Sequence, residues 1–300
     1  MTTGSNQDDA AFAVRCLLDA GRLCPVVSIG RFIDRSGMVG EVSVAKCPRC
    51  GMGLSRPPLP DPGFLYAGRA SQDFHPGTGG LAWFIKRVAF RRDAKSLLAS
   101  VGKTPGCVID YGCGSGLFTR CLADMLPAGT RVIGTDFHPR PPPGLDCVEY
   151  RPAAEVDDLA GQADLVLAMH VVEHDDDPRK IIMKLVSLVR PGGHVVIEVP
   201  YIDCAWTSVF GRFWDPWYLP YHRVHFSRSG LSTLVGQCGL SIVRQADISI
   251  PSMGRTAANL MRCQNNLGFI LLSAVLQPLQ CSVERLTRRP TALRVIARKL

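Results

Sequence analysis

A chain of 300 residues with 46% hydrophobic side chains and a mean hydropathy of +0.11 has the length and apolar content of a folded α/β domain with an appendage, which excludes a disordered polymer. A net charge of +8 permits a polyanionic partner without requiring one, and the 12 cysteines are scattered rather than spaced as a disulfide framework. Met1 to Asp9 is polar and acidic, and the longest apolar run, Leu267 to Leu276, falls short of the roughly 20 residues that cross a bilayer, so a cytoplasmic protein without a transmembrane segment is expected.

In chain order, Asp8-Asp9 predict the start of a helix over Ala10 to Ala20, with Gly21 beyond its end. The β-branched stretches Val26 to Ile33 and Glu41 to Ala45, with Ser36-Gly37 between them, predict a hairpin. Cys47-Pro48-Arg49-Cys50-Gly51 is a knuckle with zinc-site spacing. Its natural partner pair would start at Cys24, but Val27 stands where the second thiol belongs, and Cys16 and His75 are the other ligand types nearby. Cys47 and Cys50 are therefore metal candidates with two readings open: zinc, or a metal-free knuckle held by packing. Arg56 to Gly63 is too rich in proline for a helix or an inner strand. Residues 1–63 read as an N-terminal segment of helix, hairpin and knuckle, 64–80 as a linker and 81–300 as the main domain.

Leu81 to Val101 has a helical apolar stripe and a basic face of Lys86, Arg87, Arg91, Arg92 and Lys95, which is either a docking site for an anion or a plain solvated face. From Cys107 onward, strands alternate with helices, which predicts a parallel sheet covered on both faces. Tyr201 to Arg223 carries Trp206, Phe210, Phe213, Trp214, Trp217, Tyr218 and Tyr221 among prolines, as a lid over a pocket or as packing.

The chemistry concentrates at the first strand of this alternation. Val108-Ile109-Asp110-Tyr111 ends in an acid and runs into Gly112, Gly114 and Gly116 at the start of a helix. Asp136 ends the next strand, about 20 residues beyond the loop, where an acid accepts both hydroxyls of a ribose. Phe137 beside it can lie against an adenine. A dinucleotide fingerprint would place the third glycine at 117, which is Leu117. Asp110 would also repel a pyrophosphate, whereas it suits a cationic amino acid moiety. Both differences point to S-adenosylmethionine rather than NAD.

With these residues the sequence resembles the class I SAM-dependent methyltransferases. The likeness is carried by Val108 to Gly116, Gly134-Thr135-Asp136, Ala163 to His170, Val172-Glu173-His174, Arg190-Pro191-Gly192-Gly193 and Val196 to Pro200. It implies a Rossmann-like seven-stranded methyltransferase sheet with helices on both faces, whose last strand, Ala292 to Arg298, runs antiparallel beside the fifth. Residues 254–289 are then an insertion. It further implies that Asp110 and the loop glycines hold the methionine part of the cofactor, that Asp136 holds the ribose, and that backbone around Met169 and His170 lies near the amino group and the methyl. Glu155 or Asp157 would contact the adenine.

Transfer to a hydroxyl requires a base, and histidine titrates in the useful range. His174, His170 and His222 are the candidates, at or near the C-terminal end of a central strand or beyond the aromatic segment. Glu173-His174 is similar to pairs in enzymes that methylate phenolic rings. The expectation is O-methylation of a small molecule: a sugar, a phenol or a lipid-linked metabolite. The alternative is an RNA methyltransferase docking through its basic helix. Against it, Ala168-Met169-His170-Val171 stands where an Asn-Pro-Pro-Tyr-type motif would be.

Overall fold

The computed structural model describes residues 13–59, 61–66, 80–145 and 148–300. The first of these form a hairpin, β1 (Ala13–Cys16) with β2 (Asp19–Pro25), and not the helix expected over residues 10–20. The helical signal there was local and weak, and the hairpin brings Cys16 and Cys24 together into a buried cluster, so tertiary burial overrides propensity. Residues 10–12 of that expectation, His75 and most of the linker lie outside the described residues. The one expected hairpin forms as β3 (Val27–Phe32) and β4 (Val42–Lys46), antiparallel, with β5 (Gly53–Arg56) beside β4. A two-residue strand from the main domain, Val224–His225, pairs with β5 and completes this small sheet.

The main domain opens with α1 (Gly80–Val101). There follow β6 (Cys107–Tyr111), α2 (Leu117–Ala123), β7 (Arg131–Asp136), β8 (Glu149–Pro152) and β9 (Ala163–Met169). Helix α3 (Pro178–Leu188) begins where Asp177 accepts the amides of Arg179 and Lys180, with proline in its first turn. Then come β10 (Val189–Pro200), β11 (Val224–His225), α4 (Arg228–Gln237) and β12 (Leu240–Ile248), and after them α5 (Met253–Leu260), α6 (Leu267–Thr287) and β13 (Ala292–Lys299). The strand order is β12-β13-β10-β9-β6-β7-β8, parallel from β10 to β8, with β13 antiparallel between β10 and β12.

The inner strands are apolar on both faces, as a doubly covered sheet requires. On one face Ile109, Val166 and Ile197 pack against Ile182 and Leu185 of α3 and Leu234 of α4. On the other, Val108, Leu165 and Val196 pack against Ala94 and Leu97 of α1 and Leu122 of α2. This fixes the C-terminal ends of β6, β7 and β9 side by side at one rim.

Helix α6 exceeds the apolar run seen in the sequence. It has 21 residues and is, by length and composition, apolar enough to cross a membrane; only 17% of its most apolar window is buried. Its inward residues are polar: Ser273, Gln280 and Glu284 are buried, while Leu271, Val275, Leu279 and Leu286 face out. Glu284 accepts hydrogen bonds from Trp206 Nε1 (3.1 Å), Thr291 Oγ1 (2.6 Å) and Ser249 Oγ (2.5 Å). Helix α5 lies so close to α6 that a Cβ on Gly254 would meet the Phe269 carbonyl oxygen at 1.8 Å. Gly254→Ala is accordingly expected to destabilise the fold by roughly 1–3 kcal/mol, the range for overpacking, read as a lower melting temperature.

Candidate active site

Three left-handed glycines build the loop after β6: Gly112, Gly114 and Gly116 have φ of 80°, 54° and 73°. A Cβ on Gly112 would lie 2.4 Å from Val171 Cγ2, and one on Gly116 would lie 2.7 Å from Leu145 Cδ1, so both are pressed against neighbours. Gly114 faces open space. The amides of Gly112 and Cys113 donate to Thr135 O at 2.7 and 2.9 Å, which ties the loop to the end of β7.

Two buried acids flank it. Asp110 Oδ2 accepts from Thr119 Oγ1 at 2.6 Å, and the two Asp136 oxygens accept from the amides of Gly114 and Phe137 at 2.8 Å each. Burial pushes Asp110 up to about 6, with Thr119 opposing and the charge of Asp136 adding to it. Burial also raises Asp136, against the two amides and the nearby His138 and His174. Each carboxylate keeps spare lone pairs, so both can accept further donors, and a cation or a pair of hydroxyls would offset their burial. Phe137 is exposed at the rim, its ring 5.3 Å from that of Tyr66.

The facing wall starts where β9 ends at Met169. His170 adopts φ 58°, an uncommon conformation for a residue with a side chain, held by its amide donating to Glu198 O at 2.9 Å. Its ring nitrogens lie 3.1 Å from Glu173 Oε1 and 3.1 Å from Glu198 Oε1. Glu198 in turn accepts from Arg294 Nε at 2.6 Å, and Arg294 donates to Asp93 at 2.8 Å. Burial works against a charge on His170, but the two carboxylates prevail and push it up to about 10. With both ring nitrogens facing carboxylates, the imidazolium is the favoured form, and in that form neither nitrogen offers a lone pair.

His174 sits in the 3₁₀ turn Val172–His174, its Nδ1 2.8 Å from Tyr66 Oη and 3.0 Å from Tyr221 O. Its ring centroid is 4.9 Å from that of His222. His222 donates Nδ1–H to Pro216 O at 2.9 Å, leaving Nε2 as a lone pair 3.8 Å from Glu173 Oε1. Burial, and then the neighbouring histidines, hold His222 well below the usual imidazole range, so it is neutral. The second oxygen of Glu173 is fully buried with no hydrogen-bond partner. His225, on β11, lies 3.0 Å from Ser55 Oγ and is pushed down to about 3 by burial and by Arg223.

These histidines set a pH dependence of stability. His222 and His225, depressed in the fold, contribute stability above pH ~6.5 that is lost as the pH falls. His170, raised in the fold, contributes stability that is complete below pH ~6.5 and is lost as the pH rises toward about 10. Melting temperature against pH is expected to peak between these limbs, and His170→Asn is expected to flatten the alkaline one.

The aromatic segment divides. Trp214 and Trp217 are buried with Val42, Val44 and Leu219 as packing, while Tyr221 and His222 line the wall beside His174. Sequence reasoning missed Tyr66, assigned to the linker, and the Glu198–Arg294 pair, although a lone Glu in the apolar strand Val196 to Pro200 was a visible signal. Of the two acids considered for an adenine contact, Asp157 is exposed and engaged by Lys184, and Glu155 is exposed.

Residues 85–245 match the family described as "Methyltransferase domain". A ubiquinone biosynthesis O-methyltransferase of Acinetobacter baumannii (strain AYE) is 35% identical over 100 residues, 29% of this chain and 41% of that protein. One of Bordetella avium (strain 197N) is 37% identical over 100 residues, 29% and 40% of the two chains. The chain thus spans about two fifths of the length of the curated relatives it matches. Among solved structures, the Burkholderia thailandensis 1,6-didemethyltoxoflavin-N1-methyltransferase, with bound 1,6-didemethyltoxoflavin and S-adenosylhomocysteine, is similar with a TM-score of 0.51 and 19% identity, over 86% of this chain and 95% of that one. A Haloferax volcanii structure, a complex of a methyltransferase with its Trm112 activator, gives a TM-score of 0.51 and 20% identity over 78% and 95%. At such identities the likeness concerns the fold alone. The family match covers more than half of the chain and includes the glycine loop, both acids and the histidine wall, so the chain belongs to the methyltransferase domain family, as a class I SAM-dependent enzyme.

Proposed function

We propose that the enzyme methylates a hydroxyl of a small molecule, with Asp110, Gly112, Gly114, Gly116, Asp136, Phe137 and the backbone at Met169 holding S-adenosylmethionine and His174 acting as the base. The observation that carries the reading is the pair of buried carboxylates at the ends of adjacent strands beside the glycine loop, Asp136 of the pair accepting a loop amide and lying within electrostatic reach of His174. The site fits the cofactor: the acids keep acceptor capacity for an ammonium and for ribose hydroxyls, and Gly114 leaves its side of the loop open. When bound, the cofactor supplies a methyl group on a sulfonium, which needs only an aligned nucleophile. A proton on Nδ1 of His174, donated to Tyr221 O, leaves the Nε2 lone pair to take the hydroxyl proton. Neutral His222 gives the same wall a further acceptor, its Nε2 lone pair, for a hydroxylated acceptor molecule.

The names of the O-methyltransferase relatives support this acceptor class. The basic face of α1 gives less support to RNA, because Arg87 and Arg91 lie 3.9 and 3.6 Å from Asp124 and are partly neutralised within the chain. The test is methyl transfer from labelled S-adenosylmethionine to catechol as a probe and to total RNA. Label on catechol is expected; label on RNA alone would overturn the acceptor class.

A second expectation concerns pH. Because Asp110 titrates near 6, S-adenosylhomocysteine should bind most tightly above that pH and lose up to about tenfold per unit below it, as the carboxylate takes up a proton. Calorimetry between pH 5 and 8, values bracketing about 6 on the ordinary titration scale, checks this, and Asp110→Asn should abolish the dependence.

A further inference from the structure

The knuckle between β4 and β5 is not isolated. The sulfurs of Cys16, Cys47 and Cys50 all lie within 4.8 Å of one another, and Cys24 Sγ contacts those of Cys16 and Cys47. All four side chains are buried and none forms a disulfide. Val27, the residue in the place of the missing thiol, is 59% exposed and takes no part. The fourth sulfur comes instead from Cys16, across the β1–β2 hairpin.

We propose that Cys16, Cys24, Cys47 and Cys50 form a four-thiolate zinc site that fastens the N-terminal hairpin to the methyltransferase domain.

Sulfurs tetrahedrally placed at about 2.3 Å from zinc sit roughly 3.8 Å apart, so the observed cluster needs only a small contraction. The backbone is already arranged for thiolates. Cys47 N donates to Met52 O and Gly51 N to Cys47 O, at 2.8 Å each, with Gly51 at φ 70° closing the turn. The amides of Arg49 and Cys50 donate to Cys47 Sγ, and that of Met52 donates to Cys50 Sγ. Leu17, Val26, Ala45, Met52 and Leu54 surround the sulfurs and shield them from water. Soft sulfur donors in a tetrahedral set suit zinc and exclude the hard cations.

The site has a structural consequence for the catalytic wall. Cys50 O accepts from Ser227 Oγ at 2.6 Å, and Ser227 caps α4 by accepting from Gly230 N at 3.0 Å. Gln237 at the far end of α4 donates to Leu18 O of the hairpin at 3.1 Å. The metal therefore clamps both ends of α4, and through β5 it holds the strand that carries His225, next to His222.

The full-length protein, purified under reducing conditions, should contain one zinc per chain by mass spectrometry. After exchange, cobalt should show the intense visible and sulfur-to-metal charge-transfer bands of a tetrahedral tetrathiolate. Cys16→Ser and Cys24→Ser should each change those bands or abolish metal retention, whereas Cys281→Ser should change neither. Absence of metal after purification and refolding with zinc, an iron–sulfur spectrum, or a disulfide among the four cysteines in the reduced preparation would overturn the proposal. So would a cobalt spectrum unaffected by Cys16→Ser. The readings on unmodified protein decide the matter even where a variant fails to fold, and none depends on methyl transfer.

Discussion

Asp136→Ala is expected to weaken S-adenosylhomocysteine binding by roughly 1–3 kcal/mol, about 5- to 150-fold, the range for losing a charged hydrogen-bond partner. Two contributions add. The carboxylate accepts the amides of Gly114 and Phe137, so its loss frees the middle of the glycine loop as well as removing the acceptor for the ribose. Stability should not follow affinity. Burial raises the Asp136 pKa, so the ionised group is disfavoured in the ligand-free fold, and the stability it contributes below its ordinary pKa is lost as the pH rises. Asp136→Asn keeps one acceptor oxygen and removes the charge but turns an NH2 toward one of the two amides; it should lose more in S-adenosylhomocysteine binding than in folding stability. Calorimetry paired with thermal melting checks both, and an unchanged Kd for Asp136→Ala would sink the ribose assignment.

His174→Ala should lower kcat on a hydroxyl acceptor by about 10²–10⁴, the usual contribution of a general base, while leaving S-adenosylhomocysteine affinity intact. The argument is one of availability. Both ring nitrogens of His170 face carboxylates of Glu173 and Glu198, which favours its imidazolium form, and His222 is buried with its Nδ1–H donated to Pro216 O. His174 is the half-buried histidine of the three that is coupled to Asp136 and touches Tyr66. A lost rate on catechol at saturating S-adenosylmethionine, with an unchanged S-adenosylhomocysteine Kd, would identify the base. A full-rate variant would transfer the role to His222.

The sheet and the loop were readable before the structure because their signals are local: apolar runs of strand length, glycines at 112, 114 and 116, and an acid ending each of two strands. The roles of the histidines were not. His170 and His174 look alike in sequence, and they differ because Glu198, 28 positions on, turns its carboxylate to one of them. Cys16 was visible only as a ligand type near the knuckle, because the helix expected over residues 10–20 gave no sign of the β1–β2 hairpin that brings it to Cys47 and Cys50. The inward face of α6 was likewise illegible, since its apolar residues point outward and its buried ones are Ser273, Gln280 and Glu284.

The small sheet of β3, β4, β5 and β11 bears on how the chain matures during synthesis. Its first three strands emerge early, yet β5 keeps an open edge until Val224–His225 arrives. Arg223, fully buried, then donates to Ser55 O and Pro57 O across 168 and 166 positions of sequence. Contacts so distant form late, and an unpaired edge left waiting is a template for pairing with other chains. A ribosome-bound chain halted before residue 224 is therefore an aggregation-prone species, and removal of residues 1–60 would leave the segment at His222 to His225 without the partners that shape it.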